Sequence, residues 1–141
     1  MNETTFSLRL WAFAAALIAL VTVALPTTAS AQYKCGGCDV VQVYATDNIP
    51  CKFTVCVNNL FTGTSDCQVI SPGIIKYIKC PGYVSITIKD CNGIVHTVTE
   101  ACTGPIPLGN GCCIDACLFK GGSDCLIVKI GLAATPCHCN S

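Results

Sequence analysis

The chain has 141 residues, carries a formal net charge of +0 at pH 7 and is only 11% charged. That balance argues against nucleic acid, anionic membrane and heparin-like partners, which select a basic excess. Fourteen cysteines in so short a chain point to disulfides formed in an oxidising compartment, outside the cell or in a periplasm.

The first residues read as an export leader. Arg9 precedes an apolar run over residues 10–25, Pro26 breaks it, and Ala29-Ser30-Ala31 supplies the small residues that signal peptidase requires. The run is shorter than the roughly 20 residues of a spanning helix, which favours cleavage over anchoring. The expected organisation is a signal peptide over residues 1–31 and a single cysteine-rich β domain over residues 32–141. Nothing later in the chain is apolar enough for long enough to span a membrane.

Beyond the leader, the 22 Val and Ile residues outnumber the five Leu, and nine Thr accompany them. β-branched side chains fit a pleated, half-buried surface, so strands are expected rather than helices. In chain order the strands fall over residues 39–46, 51–58, 67–70, 74–79, 83–89, 94–100, 114–119 and 126–132. The middle of the chain reads as a meander. Pro81-Gly82 makes a tight turn between the fourth and fifth strands. In the fifth, Val84, Ile86 and Ile88 take one face, and Ser85, Thr87 and Lys89 the other. Asn92-Gly93 has the composition of a type I′ hairpin turn, with positive φ at both residues. Residues 103–111 hold Pro105, Pro107 and three Gly, and read as a connecting loop. The sequence Gly63-Thr64-Ser65-Asp66-Cys67 is echoed by Gly121-Gly122-Ser123-Asp124-Cys125, which suggests two hairpins built with the same turn chemistry.

About eight short strands with turns every 8–12 residues predict an all-β fold: a small disulfide-rich β-sandwich, or alternatively a small β-barrel. The even cysteine count permits seven bridges, but these can be drawn on the order of 10⁵ ways. Cys112 and Cys113 are adjacent on a strand, face opposite ways and should bridge to different partners.

Candidate chemistry is sparse. Cys35-Gly36-Gly37-Cys38 and Cys137-His138-Cys139 could together form a tetrahedral metal site, and the first pair has the spacing of a thiol-exchange motif. Disulfides are the simpler account in an exported chain. His96 reads as a half-exposed strand residue, and Asp66, Asp90 and Asp124 as turn residues. No catalytic, cofactor-binding or metal-binding residue is assigned, and no cofactor is expected. Tyr33, Tyr44, Tyr77 and Tyr83 are either exposed aromatics of a binding surface or half-covered strand residues.

Three functions fit this sequence. The first is a secreted or cell-surface, non-enzymatic structural or adhesive module, prone to self-association because so few residues are charged. The second is a soluble secreted binding or inhibitory module for a protein partner, using a loop such as residues 103–111. The third is a metal-binding or thiol-redox protein using the terminal cysteines.

Overall fold

The computed structural model describes residues 31–46, 49–121 and 125–139, so the leader expected over residues 1–31 falls almost wholly outside the described residues. Ten strands and no helix make up the described fold: β1 (Tyr33–Lys34), β2 (Val40–Ala45), β3 (Phe53–Asn59), β4 (Ser65–Ile70), β5 (Ile75–Lys79), β6 (Tyr83–Lys89), β7 (Val95–Thr97), β8 (Thr103–Gly109), β9 (Cys112–Lys120) and β10 (Leu126–Leu132). They form two five-stranded sheets. Sheet A has the order β1-β6-β3-β4 with β7 also paired to β6, and sheet B the order β5-β2-β10-β9-β8. Neither sheet closes on itself, so the fold is a β-sandwich and not a barrel.

Period-2 alternation builds the core. Val55 and Val57 of β3 and Val84, Ile86 and Ile88 of β6 face inward from sheet A; Val41 and Val43 of β2, Ile114 and Leu118 of β9, and Val128 and Ile130 of β10 face them from sheet B. All are buried in one continuous cluster. Most pairs are antiparallel, but β2 and β10 run parallel at the centre of sheet B, joining the two ends of the described chain.

Seven bridges staple this frame, and no described cysteine is free. Cys56–Cys67 ties β3 to β4 on the outside of sheet A, and Cys102–Cys117 ties the start of β8 to β9 on the outside of sheet B, each with Cα atoms 4.1 Å apart. Cys51–Cys112 joins the lead-in to β3 in sheet A to β9 in sheet B, so it locks the two layers together. Cys112 and Cys113 do take different partners, Cys51 and Cys137.

Three local expectations are corrected. Residues 103–111 are not a free loop: Thr103–Gly109 is strand β8, paired to β9 with two register shifts. Its prolines are tolerated because β8 is an edge strand, where a missing N–H on the outer side removes no ladder bond. The meander also fails between β5 and β6. The segment Cys80-Pro81-Gly82 carries the chain from sheet B to sheet A instead of turning back within one sheet, with Cys80 anchored to Cys35. Lastly, Gly93 has φ of 83° but Asn92 does not take positive φ. Asp90 N donates to Ile94 O (2.9 Å) and Gly93 N to Asp90 O (3.1 Å), so β6 and β7 join through a three-residue loop that ends in a left-handed glycine.

Candidate functional site

The two outer faces of the sandwich differ in chemistry. On sheet A, one row runs Cys67, Cys56, Thr87, Thr97 and the next Ser65, Asn58, Ser85. These polar groups satisfy one another: Asn58 Nδ2 donates to Ser85 Oγ (3.2 Å) and Thr87 Oγ1 (3.0 Å), and Ser65 Oγ donates to Asn58 Oδ1 (2.7 Å). Exposed Val69 and Val95 stand apart from each other on separate strands at the margins of this sheet.

Sheet B presents a different surface. The register sets Tyr77, Gln42, Ile127 and Phe119 side by side across β5, β2, β10 and β9, and sets Ile75, Tyr44, Lys129 and Cys117 in the next row. Tyr77 is 61% exposed and Phe119 48%, with Ile75 and Val40 exposed beside them. Local sequence explains the placement. In each strand these residues alternate with the buried set (Val41 and Val43, Ile78, Leu118, Val128), so their own side chains must stand outward. Covering a side chain of this kind is worth about 1.5–3 kcal/mol before association costs, and four or five lie in one patch. This face is the candidate functional site.

The edges of the same sheet are blunted. On β5, Lys76 pairs with buried Val43 and therefore lies on the core-facing side of an edge strand. On β8, Pro105 and Pro107 interrupt the outer row of donors. Inward-pointing charge and proline are the devices by which edge strands avoid adding further strands. The edges of sheet B are thus closed to further strands, and its outer face is the part left open.

A smaller feature lies at one end of sheet A. The turn after β3 holds Phe61 81% exposed. Asn59 Oδ1 accepts from Phe61 N (2.9 Å) and Thr62 N (3.2 Å), and Thr62 and Thr64 share a 2.7 Å hydroxyl contact. Phe61 stands edge-on to Tyr83 with centroids 5.7 Å apart, and Lys34 Nζ lies 5.5 Å from the Tyr83 centroid. Gln32, Leu60, Phe61 and Tyr83 line a shallow groove of about 290 Å³.

The terminal cysteines do not come together. Cys35 pairs with Cys80 and Cys38 with Cys125, while Cys137 pairs with Cys113 and Cys139 with Cys91. Four separate bridges therefore use the sulfurs that a metal site or exchange pair would need. His96 and Asp90 form the one acid–base contact among the described residues: Nε2 lies 2.7 Å from Asp90 Oδ2. Asp90 Oδ1 accepts from Asn92 N (2.8 Å) and Ile94 N (2.9 Å). The hydrogen bond from His96 and those two backbone bonds outweigh burial and hold the Asp90 carboxyl below its ordinary value. With both oxygens engaged, the pair clamps the β6–β7 turn.

Set against known protein families, curated proteins and solved structures, the chain matches none.

The four tyrosines divide. Tyr77 and Tyr83 are exposed; Tyr44 is half-buried within the outer face of sheet B; Tyr33 is half-buried against the core, its hydroxyl accepting from Glu100 N (3.1 Å). Phe61, Phe119 and the Asp90–His96 contact were not singled out from sequence. Phe119 was legible in principle, because it continues the outward set Asp115 and Cys117. Asp90 continues the inward set Val84, Ile86, Ile88, a position where a carboxylate needs partners.

Proposed function

We propose that the protein is a secreted or cell-surface, non-enzymatic structural or adhesive module, made durable by its disulfides and acting through association. The observation that carries this reading is the apolar, aromatic outer face of sheet B, set on a small all-β frame with seven bridges. On this reading residues 1–31 are removed on export and residues 32–141 form one domain. Among the described residues no helix is long and apolar enough to cross a membrane. Tagged full-length chain, expressed in an exporting host, should be retained at the cell surface or in assemblies. Recovery as a freely soluble monomer in the medium would overturn the reading.

A second reading, a soluble secreted binding or inhibitory module for a protein partner, is favoured by Phe61. A rigid, hydrogen-bonded turn that holds an aromatic ring in water beside a groove has the form of an interface anchor. It predicts a monomer whose partner capture fails in Phe61→Ala at unchanged thermal stability.

A further inference from the structure

The amino end of the described fold is held firmly from Tyr33 onward. Tyr33 and Lys34 pair with Val84 and Tyr83 of β6, and Cys35 N donates to Gly82 O (3.1 Å). The Tyr33 hydroxyl accepts from Glu100 N (3.1 Å), and the Cys35–Cys80 bridge anchors the segment covalently. Gln32 stands one residue ahead of this anchored strand. It is exposed and lines the groove of about 290 Å³ together with Leu60, Phe61 and Tyr83. Removal of the leader after Ala31 makes Gln32 the first residue, with an α-amino group beside its own side-chain amide. In glutamine that amine reaches the side-chain carbonyl through a five-membered ring, whereas asparagine would need a strained four-membered one. An α-amino group has an ordinary pKa of about 7.7–8.0, so a sizeable share of it is uncharged and nucleophilic near neutral pH.

We propose that Gln32 is a modification site: the mature chain begins with a pyroglutamyl ring seated in the groove beside Phe61 and Tyr83. The inference rests on the reading of residues 1–31 as a leader removed on export. The Gln32 α-nitrogen attacks the side-chain carbonyl carbon, the new N–Cδ bond closes the lactam, and the Cδ–Nε2 bond breaks. Ammonia leaves with the proton that the amine gives up, so no oxidant or co-substrate is needed. The surroundings favour the product. A free amino terminus would set an ammonium at an apolar, aromatic groove two residues from Lys34, and Lys34 Nζ already lies 5.5 Å from the Tyr83 centroid. Burying a charge costs more than burying a lactam, and two cations at one ring repel. The ring removes that charge and keeps one N–H and one carbonyl for hydrogen bonds at the rim. Phe61 is 81% exposed and Leu60 39%, so the ring also covers apolar surface that otherwise faces water. An amino end without an amine is closed to aminopeptidases, as suits a chain built to last outside the cell.

Top-down mass spectrometry of the full chain, sampled as it is secreted from an exporting host, tests this. The expected mass begins at residue 32, includes seven bridges and is lower than the open form by one ammonia. Fragments should place that loss at Gln32, and amine-directed reagents should label lysine side chains but not residue 32. Gln32→Ala keeps the amine and cannot cyclise, so it should keep the fold and gain the label at its first residue. In the wild type, nuclear Overhauser contacts should join the lactam methylenes to the rings of Phe61 and Tyr83. A chain that begins at residue 32 with an open, labelled glutamine overturns the lactam and keeps the leader reading. A chain that begins at any other residue overturns the leader boundary and the lactam together. A lactam that makes no contact with either ring overturns its seating in the groove.

Discussion

Asp90 shows how one position can serve both the core and a turn. It extends the inward row of β6 yet carries a charge, and it is buried at 8% exposure only because three hydrogen bonds reach its two oxygens. In the folded chain its carboxyl is held below its ordinary value. A depressed carboxylate contributes stability that is complete above the unfolded value and is lost as pH falls through the folded one. Asp90→Asn should therefore unfold more easily than the wild type at pH 6–7, and the gap should close below about pH 4. Urea midpoints across that range give the measurement; a gap that widens in acid would sink the account. Gly104 is constrained differently. Its φ is 155°, and a Cβ there would meet the Asp115 carboxylate and stand 2.9 Å from the Ile114 carbonyl oxygen. Gly104→Ala should push β8 off β9, lowering stability by about 1–3 kcal/mol and raising amide exchange selectively along β8.

Strands differ in how plainly the sequence announces them. β6 was legible to the residue because Val84, Ile86 and Ile88 alternate strictly with Ser85 and Thr87, and β10 was legible as a short apolar run rich in β-branched residues. β8 was not, because Pro105, Pro107 and its glycines are loop residues everywhere except on an edge. The outer face of sheet B was half legible. In Ile75-Lys76-Tyr77-Ile78-Lys79 both faces contain apolar residues, so only the pairing with β2 shows that Ile75 and Tyr77 look outward. The bridges were illegible in principle: nothing local says that Cys56 lies opposite Cys67, since that depends on the β3–β4 register. With the map in hand, their contributions can be ranked. Cys56–Cys67 spans 11 residues and Cys38–Cys125 spans 87. Loop-closure entropy assigns the first about 3 kcal/mol and the second at most about 4.6, because the other bridges already restrain the longer loop. Paired Cys→Ser variants, compared by denaturant midpoint, should fall in that order. Truncating the sheet A core at Ile86→Ala should cost about 2–5 kcal/mol, and outward Thr87→Ala far less.

For the whole molecule, the bridges and the core are a single system. Few charged contacts and a modest core leave covalent closure to supply much of the stability. Reduction under non-denaturing conditions should therefore bring loss of the strand signal in circular dichroism, and a chain that keeps its spectrum with all fourteen thiols alkylated would show the core to be sufficient. The parallel pairing of β2 with β10 carries a further consequence, one of timing. Strands β3, β4, β6 and β7 lie close together in the chain and can zip early, with Cys56–Cys67 available to close at once. Sheet B is assembled from more distant pieces: β2 finds β5, and β8 finds β9, well before either pair meets the other. Strand β10 is the keystone, entering between β2 and β9 after both pairs are in place. Until it does, the inner edges of the two pairs stay open.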